Sequence, residues 1–130
     1  MDANSLLDTV ELSETLSTAA QTLLENPSRA TFTVQDGSDW IRDHEGSLYD
    51  FIFADTWPGK FSELEETLAL LAPGGIYFID DLLPQPNWPQ GHQEKVTALR
   101  TTLGSHPNLL CTSLDWATGL MICVSPGEES

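Results

Sequence analysis

Positive charge is what this chain most conspicuously lacks. Its 130 residues carry 20 Asp and Glu against five Lys and Arg, a formal net charge of −15. The five cations, Arg29, Arg42, Lys60, Lys95 and Arg100, are scattered along the sequence. A phosphate backbone is held by clustered Lys or Arg, so nucleic acid is excluded as an expected partner. An anionic membrane surface is excluded for the same reason. Long hydrophobic runs are also missing. None approaches the roughly 18–20 residues that cross a bilayer. The N-terminus, MDANSLLD, has neither a basic flank nor a cleavage pattern, so no secretory signal is read and the cytoplasm is the expected compartment. Cysteine is scarce too, with only Cys111 and Cys123. If Asp115–Thr118 is the turn of a hairpin, Cys111 faces Ile122. Alternation along the strands then puts the two thiols on opposite faces, and no disulfide is expected.

What is present is globular. Hydrophobic residues make up 40% of the chain and charged residues 19%, enough for one core and one domain. Leu6–Val10 reads as a short strand. Ser13 is an N-cap for a helix in which Leu16, Ala19, Ala20, Leu23 and Leu24 recur at helical spacing, and Asn26-Pro27 stops it. Ala30–Gln35 is a β-branched strand, followed by an Asp36-Gly37 turn and a short helix from Ser38 to about His44. Tyr49–Ala54 is the next strand. Ser62 and Glu65 form a capping box for a helix carrying Leu64, Leu68 and Leu71, ended by Ala72-Pro73-Gly74-Gly75. Ile76–Ile79 is an apolar strand and Leu82–Gly91 a proline-rich loop. His92–Ser105 is a helix with Val96, Leu99 and Leu103 on one stripe. Two strands and a polar tail close the chain. Such alternation predicts a mostly parallel sheet with helices on both faces and a C-terminal antiparallel hairpin.

The segment Tyr49–Trp88 carries most of the functional information. Asp55 follows one strand, and Asp80 and Asp81 follow the next. Ligands of open α/β sheets bind outside the carboxyl ends of the strands. Tyr49-Asp50-Phe51-Ile52-Phe53-Ala54-Asp55-Thr56-Trp57, Leu70-Leu71-Ala72-Pro73-Gly74-Gly75 and Ile79-Asp80-Asp81 together resemble class I S-adenosylmethionine-dependent methyltransferases. The likeness is greatest to the O-methyltransferases of the catechol type and their bacterial relatives. It covers roughly Leu6 to Val124 and implies a Rossmann-like fold, with residues 1–125 as a single methyltransferase-like α/β domain and 126–130 as a tail.

The resemblance implies S-adenosylmethionine as cofactor, a small hydroxylated acceptor and methyl transfer to its oxygen, with magnesium as a further expected cofactor. Glu11 matches the acid that holds the cofactor's ribose hydroxyls; the alternative is a solvated acid near a helix start. Asp36, Gly37 and Ser38 match the adenine-contacting turn, or form an ordinary turn. Trp57 matches the tryptophan lining the adenine pocket, or is an amphipathic surface residue. Asp55, Asp80 and Asp81 match the metal positions, where asparagine is usual in place of Asp81; the alternative is that Asp80 or Asp81 caps the following turn. The lysine that follows the tryptophan in the catechol enzymes is Pro58 here, leaving Lys60 as a base candidate. His92, at a helix start, is a second base candidate or a packed side chain.

The resemblance also implies an absence. No Gly-x-Gly occurs in the chain, and its first strand matches the second strand of the family. In the family sheet the unmatched strand is central. Its neighbours would then have unpaired backbone groups, to be met by closure of the gap, by a homo-oligomer or partner chain, or by more of a longer protein. A non-catalytic subunit that completes its sheet with a partner is the alternative to an enzyme.

Overall fold

The computed structural model describes residues 2–24 and 27–127. Strands and helices alternate in the order β1 (Leu7–Glu11), α1 (Glu14–Leu23), a single 3₁₀ turn at Pro27–Arg29, β2 (Ala30–Val34), α2 (Gly37–Asp43), β3 (Tyr49–Ala54), α3 (Leu64–Leu68), β4 (Leu71–Ile79), α4 (His92–Gly104), β5 (Leu110–Leu114) and β6 (Leu120–Val124). The fold is α/β, with parallel pairs in its first four strands and an antiparallel hairpin at its C-terminal end. No helix among the described residues is long and apolar enough to cross a membrane.

The chain forms two compact units, Met1–Asp43 and His44–Ser130. In the first, β1 and β2 form a two-stranded parallel sheet with Leu7 opposite Ala30 and Glu11 opposite Val34. Ser13 caps α1 as expected, its hydroxyl accepting from the Leu16 N–H at 3.3 Å. The apolar stripe of α1 does not form a core. Leu16 and Leu23 are 60% and 82% exposed, and Ser17 is the buried residue of the helix. Asn26, expected to help stop this helix, lies outside the described residues, as does the end of the polar tail at 128–130.

In the second unit the sheet order is β3-β4-β6-β5. Tyr77, Ile79, Met121 and Cys123 face one side and are buried with Leu68 of α3 and Val96, Leu99 and Leu103 of α4. This single cluster is the core. The α4 stripe is as the sequence predicts, because its spacing of three and four residues puts one apolar row on the sheet.

Three local expectations are corrected. The capping box at Ser62 and Glu65 does not form. Glu63 takes a left-handed φ of 49° at the N-cap and makes no side-chain cap bond, which leaves Ser62 outside the helix. Leu71 belongs to β4 rather than to α3, and the Ala72-Pro73-Gly74-Gly75 run lies in a register irregularity at the start of that strand. Gly75 is needed there, since a Cβ on it would stand 2.8 Å from the Ala72 carbonyl oxygen. The β5–β6 turn is one residue longer than expected. Leu114 faces Leu120, so Cys111 faces Cys123. Their Cα atoms are 4.1 Å apart and the two sulfurs form a disulfide. A shift of one residue moves every side chain to the other face, and here it brings the two cysteines together.

Candidate functional site

Two parallel strands end side by side in the second unit, with Ala54 opposite Ile79. Asp55 leaves the first and Asp80 and Asp81 leave the second, so their carboxylates gather at one edge. Asp81 holds a left-handed φ of 61°.

Lys60 is brought to the same place. It is only 3% exposed, and its Nζ donates to the Asp80 carbonyl oxygen at 2.7 Å. The loop from Asp55 to Glu63 is what positions it. The Trp57 carbonyl accepts from the N–H groups of Lys60, Phe61 and Ser62 at 3.2, 2.8 and 3.0 Å. Gly59, at φ 84°, donates to the Ser62 carbonyl at 2.8 Å. Tyr77, fully buried in β4, donates its hydroxyl to the Gly59 carbonyl.

The electrostatics follow from this arrangement. Burial lowers the pKa of Lys60, and the charges of Asp81, Asp80 and Asp55 oppose that shift. Burial raises the pKa of Asp80, with the Asp55 carboxylate adding to the effect and Lys60 working against it. One Asp80 oxygen, Oδ1, is buried without a hydrogen-bond partner. A desolvated carboxylate beside another favours its protonated form.

Next to this cluster lies an aromatic one. The His92 ring stands 4.6 Å from Trp88, 5.4 Å from Phe61 and 6.2 Å from Trp57, measured between ring centroids. The Lys95 ammonium lies 4.4 Å from the centre of the Trp57 ring, a cation–π distance. His92 Nδ1 and Trp88 Nε1 are buried without partners. A cleft of about 310 Å³ between α3 and α4 is lined by Trp57, Lys60, Phe61, Leu64, Lys95 and Leu99 among others.

The remaining candidates belong to the first unit. Glu11 ends β1, and its Oε1 accepts from the Ser13 N–H at 2.9 Å. Asp36 follows β2, and its Oδ1 accepts from the N–H groups of Ser38 and Asp39 at 2.9 and 3.3 Å. Asp36 therefore caps α2, and Gly37 and Ser38 form the first residues of that helix.

The fold has close structural counterparts. A protein from Corynebacterium glutamicum superposes with a TM-score of 0.85 at 16% identity, over 99% of this chain. The O-methyltransferase from Bacillus cereus, solved with S-adenosylhomocysteine, gives 0.80 at 18% identity over 96%. The Streptomyces achromogenes O-methyltransferase of tomaymycin synthesis, solved with S-adenosylmethionine, gives 0.80 at 17% over 98%. The chain has the fold of the class I O-methyltransferases. It spans 64% to 65% of the length of these three structures. No protein-family model and no curated protein matches the sequence.

No group of three metal-ligating side chains is placed to hold an ion among the described residues, and a buried ammonium already stands against Asp80. Tyr77 and Phe61, which build the loop and the aromatic cluster, were not singled out from the sequence. A tyrosine inside an otherwise apolar strand was the available signal for the first, since a buried hydroxyl needs a partner.

Proposed function

We propose that this chain is the S-adenosylmethionine-binding part of an O-methyltransferase acting on a small hydroxylated molecule. The observation that carries the reading is the superposition on structures solved with that cofactor and its product, with acids at the carboxyl ends of β1, β3 and β4. A carboxylate is an acceptor-only group that suits a pair of ribose hydroxyls, and Glu11 takes that role. Trp57 offers an aromatic face for a ring. S-adenosylmethionine supplies an electrophilic methyl group. The acceptor oxygen bonds to the methyl carbon as the carbon–sulfur bond breaks, its electron pair stays on sulfur, and the hydroxyl proton passes to a base. Lys60 is the base candidate this fold supplies, because burial favours its neutral amine. The charges of Asp81, Asp80 and Asp55 oppose that effect of burial. No step is routed through a metal, since the three aspartates do not form a donor set. The scarcity of cations directs the reading to small, uncharged or weakly charged acceptors.

The test is titration calorimetry of the chain with S-adenosylhomocysteine, with and without magnesium. Binding is expected, unchanged by the metal and weakened at least tenfold by Glu11→Ala. Absence of binding rejects the reading for this chain. Binding that requires magnesium and is lost in Asp80→Ala rejects the metal-independent form of it.

A further inference from the structure

Strand β5 is fastened to the second unit at few points. It is terminal in its sheet, with β6 as its neighbour. Leu110, Thr112, Ser113 and Leu114 are exposed, and Cys111 is half-buried. The disulfide from Cys111 to the fully buried Cys123 is therefore the side-chain anchor of this strand. β6 does not depend on it in the same way. Its other edge is paired with β4, from Ile76 opposite Val124 to Ile79 opposite Met121. The bridge is also approachable from one end. Exchange with an external thiol needs access to the sulfur under attack, and Cys111 offers it where Cys123, at 0% exposure, does not. The reduced state has its contacts prepared. Cys111 Sγ lies 3.2 Å from the Leu103 carbonyl oxygen in the last turn of α4, an acceptor for a thiol hydrogen. Cys123 as a thiol packs as a small apolar side chain.

We propose that Cys111–Cys123 is a reversible thiol–disulfide switch that fastens and releases β5, exchanging through Cys111 with a small thiol of the glutathione class. The small thiolate attacks Cys111 Sγ and forms a mixed disulfide there. The Cys111–Cys123 bond breaks with its electron pair on Cys123, which takes a proton from water. A second small thiolate attacks the outer sulfur of the mixed disulfide, and Cys111 leaves and is protonated in turn. Two small thiols are oxidised to their disulfide and the two cysteines are reduced; the small disulfide drives the reverse. Release of an edge strand is a local opening that leaves the rest of the sheet in place. Its effect reaches the carboxylate edge through bonded neighbours. β5 leads into the turn at 115–119, whose Thr118 and Gly119 carbonyls accept from the Leu83 and Leu82 N–H groups at 2.8 and 3.2 Å. Those two residues directly follow Asp80 and Asp81. The switch is independent of cofactor binding, and its test uses no cofactor.

The full chain is equilibrated without denaturant in mixtures of reduced and oxidised glutathione, then read by alkylation with mass mapping and by amide hydrogen exchange. Excess reduced glutathione should open the bridge. The reduced chain should exchange at least tenfold faster across 110–114 and at least threefold faster at Leu82 and Leu83, with 76–79 unchanged. With oxidised glutathione, folded Cys123→Ser should take up one glutathione at Cys111, and folded Cys111→Ser none. The switch is overturned if the folded chain stays oxidised in excess reduced glutathione, if 110–114 exchanges alike in both states, or if the mixed disulfide forms on Cys123. Loss of protection at 76–79 on reduction overturns it as well, since the bridge would then be a staple for the whole unit. Unchanged exchange at Leu82 and Leu83 overturns the link to the carboxylate edge.

Discussion

The Tyr77 hydroxyl donates to the Gly59 carbonyl oxygen at 2.7 Å, in a fully buried position. This bond ties the loop after β3 to the middle of β4, and Lys60 is the next residue in that loop. Burial also raises the pKa of the phenol, so it remains a donor across the working pH range. Tyr77→Phe leaves the carbonyl without that donor and should cost about 1–3 kcal/mol. Denaturant unfolding measures it. A change within error would show that another donor reaches Gly59.

The carboxylate edge predicts a pH dependence. Asp80 holds its proton to higher pH in the folded state than in the unfolded chain. The folded state therefore binds more protons between the ordinary carboxylate value and the raised one. Stability attributable to Asp80 falls as pH rises through that window. Asp80→Asn removes the titration, so the variant should gain on the parent as pH rises through the same window. Urea midpoints across pH 4 to 7 (roughly the range above an ordinary carboxylate pKa) test this. A difference independent of pH would mean that Asp80 titrates as an ordinary carboxylate.

Lys60→Met keeps the length of the stem and removes the charge. Asp80 then loses both a hydrogen bond to its carbonyl and the buried ammonium that opposes its own carboxylate shift. A loss of about 1–3 kcal/mol is expected, with a further rise in the Asp80 pKa visible by carboxylate NMR. An unmoved Asp80 titration would show that Lys60 exerts no field there.

Gly119 has a φ of 91°, and a Cβ on it would come within 2.6 Å of the Leu83 amide nitrogen. The close approach serves two hydrogen bonds, from Leu82 N–H to the Gly119 carbonyl and from Leu83 N–H to the Thr118 carbonyl. Gly119→Ala should cost at least about 1–3 kcal/mol and loosen the loop that carries Asp81. Thermal unfolding with exchange of the Leu82 and Leu83 amides would register both.

The Cys111–Cys123 bridge should leave no thiol reactive to Ellman's reagent until the unfolded chain is reduced, after which two appear. Double replacement by Ser should cost on the order of 2–4 kcal/mol. Two reactive thiols in the untreated unfolded chain would refute the bridge. Disulfides persist in oxidising compartments, so this pairing bears on the cytoplasmic location read from the N-terminus.

Strong periodicity and strong punctuation were legible in the sequence. Val96, Leu99 and Leu103 predict the buried stripe of α4, and Ser13 predicts its own capping bond. Register was less legible, because the β5–β6 turn holds Ala117 and Gly119 at positive φ and no dipeptide there marks the extra residue. The exposed stripe of α1 was hidden for another reason. Periodicity shows that a helix has an apolar face but not that anything covers it. In the site, the clustering of Asp55, Asp80 and Asp81 follows from the parallel order of β3 and β4. The burial of Lys60 does not, since lysine is almost never fully buried and only the turns around Trp57 and the Tyr77 anchor draw it inward.

Those turns have a mechanical consequence. The Trp57 carbonyl gathers three successive amides, and its ring sits under Lys95 and beside Phe61. Backbone and side chain of one residue thus join the aromatic cluster to the loop that holds Lys60 against Asp80. Replacing the indole removes the contacts with Lys95 and Phe61 but leaves the three bonds to the Trp57 carbonyl in place. The loop's hold on Lys60 therefore rests on main-chain bonds, and the aromatic cluster can change composition without unseating the ammonium.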